Sequence, residues 1–472
     1  MRKRISMTPL YRIIAIYGVL ASTGYATDPT GTTDLHRAVY NDDIVEAGSL
    51  ITSGADVNAR NRYGISSLSL ACENGSAEMA ARLLQAGADP NVARNGGETP
   101  LMTAARVGRL SVVRELVEAG AKVDATERSE QTALMWAAAE GHAEVCDFLI
   151  GAGADPNRAL KSGFTPLLFA ARNGKTGAVR VFLAHGVDVD AATEVERPGG
   201  KSPKWGTSAL RIAVENGHFE TAVALLEAGA NPNDQRSGYA PLHVLTWVRK
   251  PNRGDGPDGM PPPRQSGAMT NLDFARRLVE EFGADVNLPL KNGSSGGPRF
   301  GIKGATPVLL AARKADLSYL KVLAELGADL NTTNQDGTTP LLAVSGVGST
   351  APEEEAGVES EALETAMWLV KKGANVNAVN KNGETTMHGA AYRNWPEIVA
   401  WLDEQGAQIE QWNQKNKHKW TPLLIAQGFR PGNFKPSVVT EEKIKMVMKK
   451  AGVTIPPDPP LPTTDKPKKY VP

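Results

Sequence analysis

The chain has 472 residues, and its 52 Lys and Arg balance 52 Asp and Glu, leaving no formal net charge. That balance argues against a nucleic-acid binder, a class marked by a basic excess. Two cysteines are too few for a disulfide scaffold, and Cys72 and Cys146 read as small buried hydrophobes.

In chain order, the first segment reads as a leader. Arg2, Lys3, Arg4 and Arg12 give a positive start, Ile13–Leu20 is a short apolar run, and Gly24-Tyr25-Ala26 places small residues where a signal peptidase reads. Residues 1–26 are therefore expected to be a secretory signal cleaved after Ala26, with Ala21 a second candidate. The apolar run is shorter than the ~20 residues of a membrane span. A soluble, exported protein, periplasmic or secreted, is the expectation; a disordered or weakly helical N-terminus of a cytoplasmic protein is the alternative.

From Thr33 onward the sequence repeats. Thr33, Ser66, Thr99, Thr132 and Thr165 each stand 33 residues apart. Between Gln131 and Gly163, Thr132 opens a short helix that stops at Gly141-His142. A second helix follows with Val145, Phe148, Leu149 and Ile150 on one face. Gly153 then suits a left-handed C-terminal position, and Asp155-Pro156-Asn157 throws the chain into a loop. One such pair cannot bury its apolar face alone, whereas stacked copies can. After an interruption the phase resumes at Ser208, Ala240, Thr306, Thr339, Thr385 and Thr421, giving about eleven units.

A 33-residue unit with Thr-Pro-Leu at 99–101, 165–167, 339–341 and 421–423, closing on Gly-Ala-Asp/Asn as at 54–56, 87–89, 153–155 and 373–375, resembles the ankyrin-repeat family. The resemblance implies an all-α ankyrin-repeat solenoid of helix-turn-helix units with β-hairpin loops. It also implies that His36, His243 and His388 bond between neighbouring repeats, and that the residues ending each first helix line a concave face. Those include Glu73/Asn74, Arg106/Val107, Ala139/Glu140, Arg172/Asn173, Glu215/Asn216, Arg313/Lys314 and Tyr392/Arg393.

Residues 33–163 form four regular repeats, and departures concentrate in 164–454. Glu194–Lys204 lengthens one inter-repeat loop. Repeat seven breaks after Trp247 into a basic, Pro-rich run, and its second helix is expected from about Asn271. Its outgoing loop, Leu288–Gly304, is rich in Gly and Ser. Repeats nine and eleven carry insertions at Gly346–Glu361 and Phe429–Val439, the latter before a helix that Thr440 can cap. These inter-helix insertions fall at one end of alternate repeats. They predict either an ordered lobe, with Arg249, Lys250, Arg253 and Arg264 facing Glu353–Glu355, or independent loops. Residues 455–472 form a Pro/Lys-rich tail expected to be disordered. The stretches at 246–252, 386–394 and 428–436 resemble those of exported bacterial ankyrin-repeat proteins with a modified C-terminal half.

Catalytic signals are weak. Five of the seven histidines occupy repeat positions, leaving His185 and His418 far apart. Gly293–Gly297 fits G-x-S-x-G only in letters, since it lies in a Gly-rich loop rather than a strand–helix elbow. Gly174-Lys175-Thr176 lacks the strand and first glycine of a P-loop. No metal, cofactor or catalytic residue is expected. Mixed charges along the predicted face suit a folded protein partner. Aromatic and arginine residues nominate the C-terminal half as the working surface: Tyr239, Trp247, Arg249, Arg253, Arg313, Tyr392, Arg393 and Trp395. The expected function is an exported, monomeric, non-enzymatic scaffold for protein–protein interaction, with no nucleic acid and no membrane span. The alternative is a small-ligand or glycan-binding protein, with a pocket formed by the insertions of repeats seven, nine and eleven.

Overall fold

The computed structural model describes residues 28–194, 205–252, 263–297, 299–350, 355–430 and 436–457. Residues 1–27, Arg253, Glu353, Glu354, most of Glu194–Lys204 and the residues beyond 457 lie outside them. Contacts divide the chain into two units, one ending at Arg128 and one starting at Ser129. Among the described residues there are helices and two isolated antiparallel bridges, Arg60 with Ser66 and Ala192 with Ser208, so the expected hairpin loops carry at most a single bridge.

The first unit stacks three helix pairs: α1 (Asp34–Tyr40) and α2 (Ile44–Thr52), α3 (Ser67–Asn74) and α4 (Ala77–Gln85), α5 (Pro100–Val107) and α6 (Leu110–Glu118). The second unit continues the pattern with α7 (Ala133–Glu140), α8 (Ala143–Gly151), α9 (Pro166–Arg172), α10 (Thr176–Ala184), α11 (Ala209–Glu215) and α12 (Phe219–Glu227). Then come α13 (Pro241–Arg249), α14 (Asn271–Glu280), α15 (Pro307–Arg313), α16 (Leu317–Glu325), α17 (Pro340–Ser345) and α18 (Glu359–Lys371). The last are α19 (Thr386–Arg393), α20 (Pro396–Glu404), the single turn α21 (Ile409–Trp412), α22 (Pro422–Ala426) and α23 (Val438–Lys450).

The repeated Thr-Pro-Leu has a physical reading in three parts. The threonine caps the first helix, as where Thr132 Oγ1 accepts from the Met135 amide at 3.3 Å. Proline takes the first helical position, where a missing N–H costs nothing. Leucine enters the core: Leu101, Leu167 and Leu341 are buried. First helices are buried on most sides, as in α7, whereas second helices bury one stripe. In α8 that stripe is Val145, Cys146 and Leu149. Phe148 and Ile150, expected on it, are only half-buried, and Cys146 is buried where the sequence reading did not place it on the stripe.

Neighbouring loops are tied by the last asparagine of the Gly-Ala-Asp/Asn-x-Asn segment. Asn58 Nδ2 donates to the Gly87 carbonyl at 2.9 Å, and its Oδ1 accepts from the Asp89 amide at 2.8 Å. The same double bond joins Asn91 to Gly120 and Lys122, Asn233 to Gly283 and Asp285, Asn287 to Gly327 and Asp329, and Asn377 to Gly406 and Gln408. Its partners lie 29 residues apart at Asn58 but 50 apart at Asn233. Inserted residues therefore loop out while the stack keeps its step.

Three boundaries differ from expectation, the first being that α13 runs on past Trp247 through Arg249. The last long helix begins before Thr440: Ser437 caps it, accepting from the Thr440 amide at 3.3 Å, and Thr440 is buried inside. The insertion of repeat nine ends earlier than Glu361, which lies in the first turn of α18 and accepts from the Val358 amide at 3.1 Å. Of the three histidines, His36 bonds onward, its Nε2 lying 3.0 Å from the Ile65 carbonyl of the next repeat. His243 and His388 are fully buried at the same position, and burial pushes both down to about 4, partly opposed by the Ala305 and Leu288 carbonyls for the first and the Trp420 and Gln414 carbonyls for the second.

Candidate functional site

The insertions of repeats seven and nine both reach the end of α15 in repeat eight, through Asn252 with Lys314 and Glu355 with Arg313. Arg249 ends α13 and makes a bidentate pair with Asp316, Nε to Oδ2 at 2.7 Å and Nη2 to Oδ1 at 2.9 Å. It also donates to Asn271 and lies 5.5 Å from the Tyr319 ring centroid. The side chains of Arg249 and Asp316 are only 12% and 3% exposed. Asp316 in turn caps α16 through the Tyr319 amide. Lys250 Nζ reaches Glu361 at 2.9 Å and the Ala315 carbonyl at 3.0 Å, and Lys314 donates to Asn252. Burial, with Arg313 next to it, brings Lys314 down to about 8.

Of the predicted acidic run, Glu355 is described, and its partners are not the loop arginines. Arg393 Nη1 approaches it at 3.2 Å and Arg313 Nη2 at 3.7 Å. Arg393 further donates to the Ala356 and Gly357 carbonyls and stacks 4.4 Å over Trp395. Tyr392, next in sequence, is fully buried and donates to Glu384 at 3.0 Å. Glu384 also accepts from Asn380 and Asn416, and burial raises its carboxyl above the ordinary value against those donors. The Tyr392 carbonyl accepts from Arg430 in the last insertion at 2.6 Å. Thus Arg249, Tyr392, Arg393 and Trp395 are turned into the protein and brace the insertions.

Tyr239, Trp247 and Arg313 remain half-buried and close together. Tyr239 meets Trp247 edge-on at 4.9 Å, and Arg313 lies 4.2 Å over Phe300. Phe300 belongs to a core with Leu290, Ala305, Leu309, Leu310 and Ala343, against which Tyr239 packs. Burial raises the Tyr239 phenol, offset by Arg211 and Arg313.

Phe300 arrives on the enlarged, Gly- and Ser-rich loop after α14. It is laid across the loops of later repeats. The Gly296 amide donates to Asp336 at 2.7 Å, Lys417 Nζ to the Gly296 carbonyl at 3.1 Å, Asn334 to the Gly301 carbonyl at 2.7 Å, and the Phe300 amide to the Gly348 carbonyl at 3.0 Å. A side chain at Gly301 would strike Asp336, and one at Gly348 would strike the Phe300 backbone. The glycines were the available signal: they mark close backbone approach.

Two further surfaces lie outside this lobe. A cleft of about 450 Å³ is lined by Trp205, 58% exposed, with Asp190, Asn231, Asp234, Arg236 and Lys291 among others. It lies in the loops after α10, α12 and α14 rather than between the insertions around Trp247 and Arg249. The other surface is aromatic. Phe164 and Phe169 sit 5.1 Å apart, Arg172 lies 5.1 and 5.2 Å from their centroids, and Trp136 and Leu160 flank them.

Among the described residues no group of three or more His, Cys, Asp or Glu is arranged to hold a metal, and no helix is long and apolar enough to cross a membrane. Models of ankyrin repeats match residues 35–127, 68–159 and 134–236 in multi-repeat copies, and residues 355–402. Ankyrin repeat and SOCS box protein 6 of Homo sapiens is 37% identical over 231 residues, 48% of this chain and 44% of that protein. The B-cell lymphoma 3 protein homolog of Mus musculus is 28% identical over 223 residues, 47% of this chain and 40% of the relative. The chain spans less than half the length of these curated relatives.

Proposed function

This chain carries ankyrin repeats, and from that premise we propose that it is a protein-binding scaffold with no catalysis of its own. The observation that carries the reading is the pairing of half-exposed aromatic rings and arginines, Phe164 with Arg172 and Tyr239 with Trp247 and Arg313, on braced repeats. Aromatics and arginine concentrate binding energy at interfaces. A surface already held rigid loses little conformational entropy on binding. The half-buried trio Tyr239, Trp247 and Arg313 forms one contact area, and Arg393 shares Glu355 with Arg313. We further propose that the protein acts as an exported monomer, periplasmic or secreted, the reading supported by the basic, apolar and small-residue order of residues 1–26.

The test is cross-linking capture with residues 27–472 from envelope and secreted extracts, alongside Trp247→Ala and Phe164→Ala. A dominant protein lost by either variant supports the scaffold; absence of any retained protein overturns it. Fusing residues 1–40 to a reporter active only after export checks localisation, and an inactive fusion overturns that part.

Trp205 supports a second reading. An exposed indole beside a cleft of amide and carboxylate side chains is suited to stacking on a sugar ring. Oligosaccharide titration followed by tryptophan fluorescence, compared with Trp205→Ala, decides it; an unchanged signal in the variant rules out this cleft.

A further inference from the structure

Arg172 ends α9 with its guanidinium over two phenylalanine rings. The rings accept the positive face of the cation, but they offer nothing to its in-plane N–H groups. Among the described residues no carboxylate or carbonyl takes a hydrogen bond from them. The site is half-buried, so this cation has lost part of its hydration without gaining an anion. Burial alone pulls the Arg172 guanidinium below its ordinary value, with no opposing charge.

The same arrangement occurs again in the second unit, complete. Arg313 ends α15 as Arg172 ends α9, lies 4.2 Å over Phe300, and has Glu355 at 3.7 Å. There the chain supplies both the ring and the carboxylate from its own loops. At Arg172 it supplies the rings only. The Arg313 site therefore displays, within one molecule, the ligand that the Arg172 site lacks.

We propose that Arg172, Phe164 and Phe169 form a docking point for an extended acidic peptide segment of a partner protein, one carrying Asp or Glu beside a large apolar residue. The carboxylate lies in the guanidinium plane in bidentate fashion. The apolar neighbour covers Phe164, Leu160 and Trp136, which are partly buried around Met135, Ala139 and Phe169. A nucleic-acid backbone is a poorer match, because the ends of the flanking first helices carry Glu140 and Glu215 rather than a basic stripe. This inference rests on the scaffold reading and deepens it.

The test is selection from a short-peptide display library against the full chain, then affinity measurement on a selected peptide by fluorescence anisotropy. Enriched peptides are expected to share Asp or Glu next to Leu, Phe, Tyr or Trp. Arg172→Gln and replacement of the peptide's acidic residue by its amide should each weaken binding about tenfold or more, and together cost little more than either alone. Arg172→Lys, which keeps the charge but not the planar fork, should fall between. Arg82→Gln, on an exposed helix face, should leave binding unchanged, and circular dichroism checks the fold of each variant. Enriched peptides without acidic residues, or a selected peptide indifferent to Arg172→Gln, overturn the acidic docking point and leave the scaffold standing. No enrichment overturns it as well, and the cross-linking capture then decides the scaffold separately.

Discussion

The first unit and the later part of the second use one repeat in different ways. From Asp28 to Arg128, buried polar side chains are mostly helix caps and their neighbours, such as Ser66, Ser69, Thr99 and Thr103. Several charges pair on the surface, as in Arg82 with Glu78 and Arg37 with Asp34. From α13 onward, charges go inside: Arg249 with Asp316, Arg393 with Glu355, and Glu384 among Asn380, Tyr392 and Asn416. Buried pairs add little net stability over apolar packing, but separating them strands a charge. Regular repeats are thus held by shape, and the modified ones also by electrostatic partners that penalise any other loop arrangement.

The largest expected effect that sharpens this contrast is at Arg393. Arg393→Ala leaves Glu355 with the more distant Arg313 and the Thr350 amide, and strips the Ala356 and Gly357 carbonyls, so a loss of about 3–5 kcal/mol is expected. Urea unfolding followed by tryptophan fluorescence reads it; a loss no greater than that of Arg82→Ala, expected below about 0.5 kcal/mol, would break the comparison.

Acid should act next, and mainly through the second unit. His243 and His388 hold their protons less well folded, at about 4, than unfolded, near 6.5. The unfolded chain therefore binds more protons between these values. Stability present above pH 6.5 should fall as pH drops toward 4. Glu384 works the other way, its raised carboxyl taking up protons in the folded state, so Glu384→Gln should steepen the acid loss. A melting temperature flat from pH 7 to 4.5 would contradict the assignment.

A smaller effect tests the shared framework. Asn58→Ala and Asn233→Ala each remove two loop bonds and should cost about 1–2 kcal/mol apiece, alike despite 29 and 50 residues between partners. A much larger cost at Asn233 would show that the insertion depends on that tie.

Much of the fold was legible because its signals are local. Caps at Thr99 and Thr132, prolines at Pro100 and Pro166, and the left-handed Gly153 are each decided within a few residues. The placement of Gly296 and Phe300 was not legible, since their partners Asp336, Gly348 and Lys417 lie 40 or more residues away. The proposed site residues divide for the same reason. Composition identified Arg249, Tyr392, Arg393 and Trp395 as aromatic and basic, but whether such a residue faces solvent or a buried carboxylate depends on where distant loops return. Arg172 was visible as the end of a first helix; its missing counter-charge could be seen only in three dimensions.

The asparagine ties between loops bear on how such a chain can change over generations. Because each tie joins fixed points on successive pairs, whatever lies between them is free in length. Repeat seven has already used that freedom without shifting Asp285 from its place beneath Asn233. New sequence can therefore be tried out as a detour, acquiring contacts of its own, while the register on either side is inherited intact.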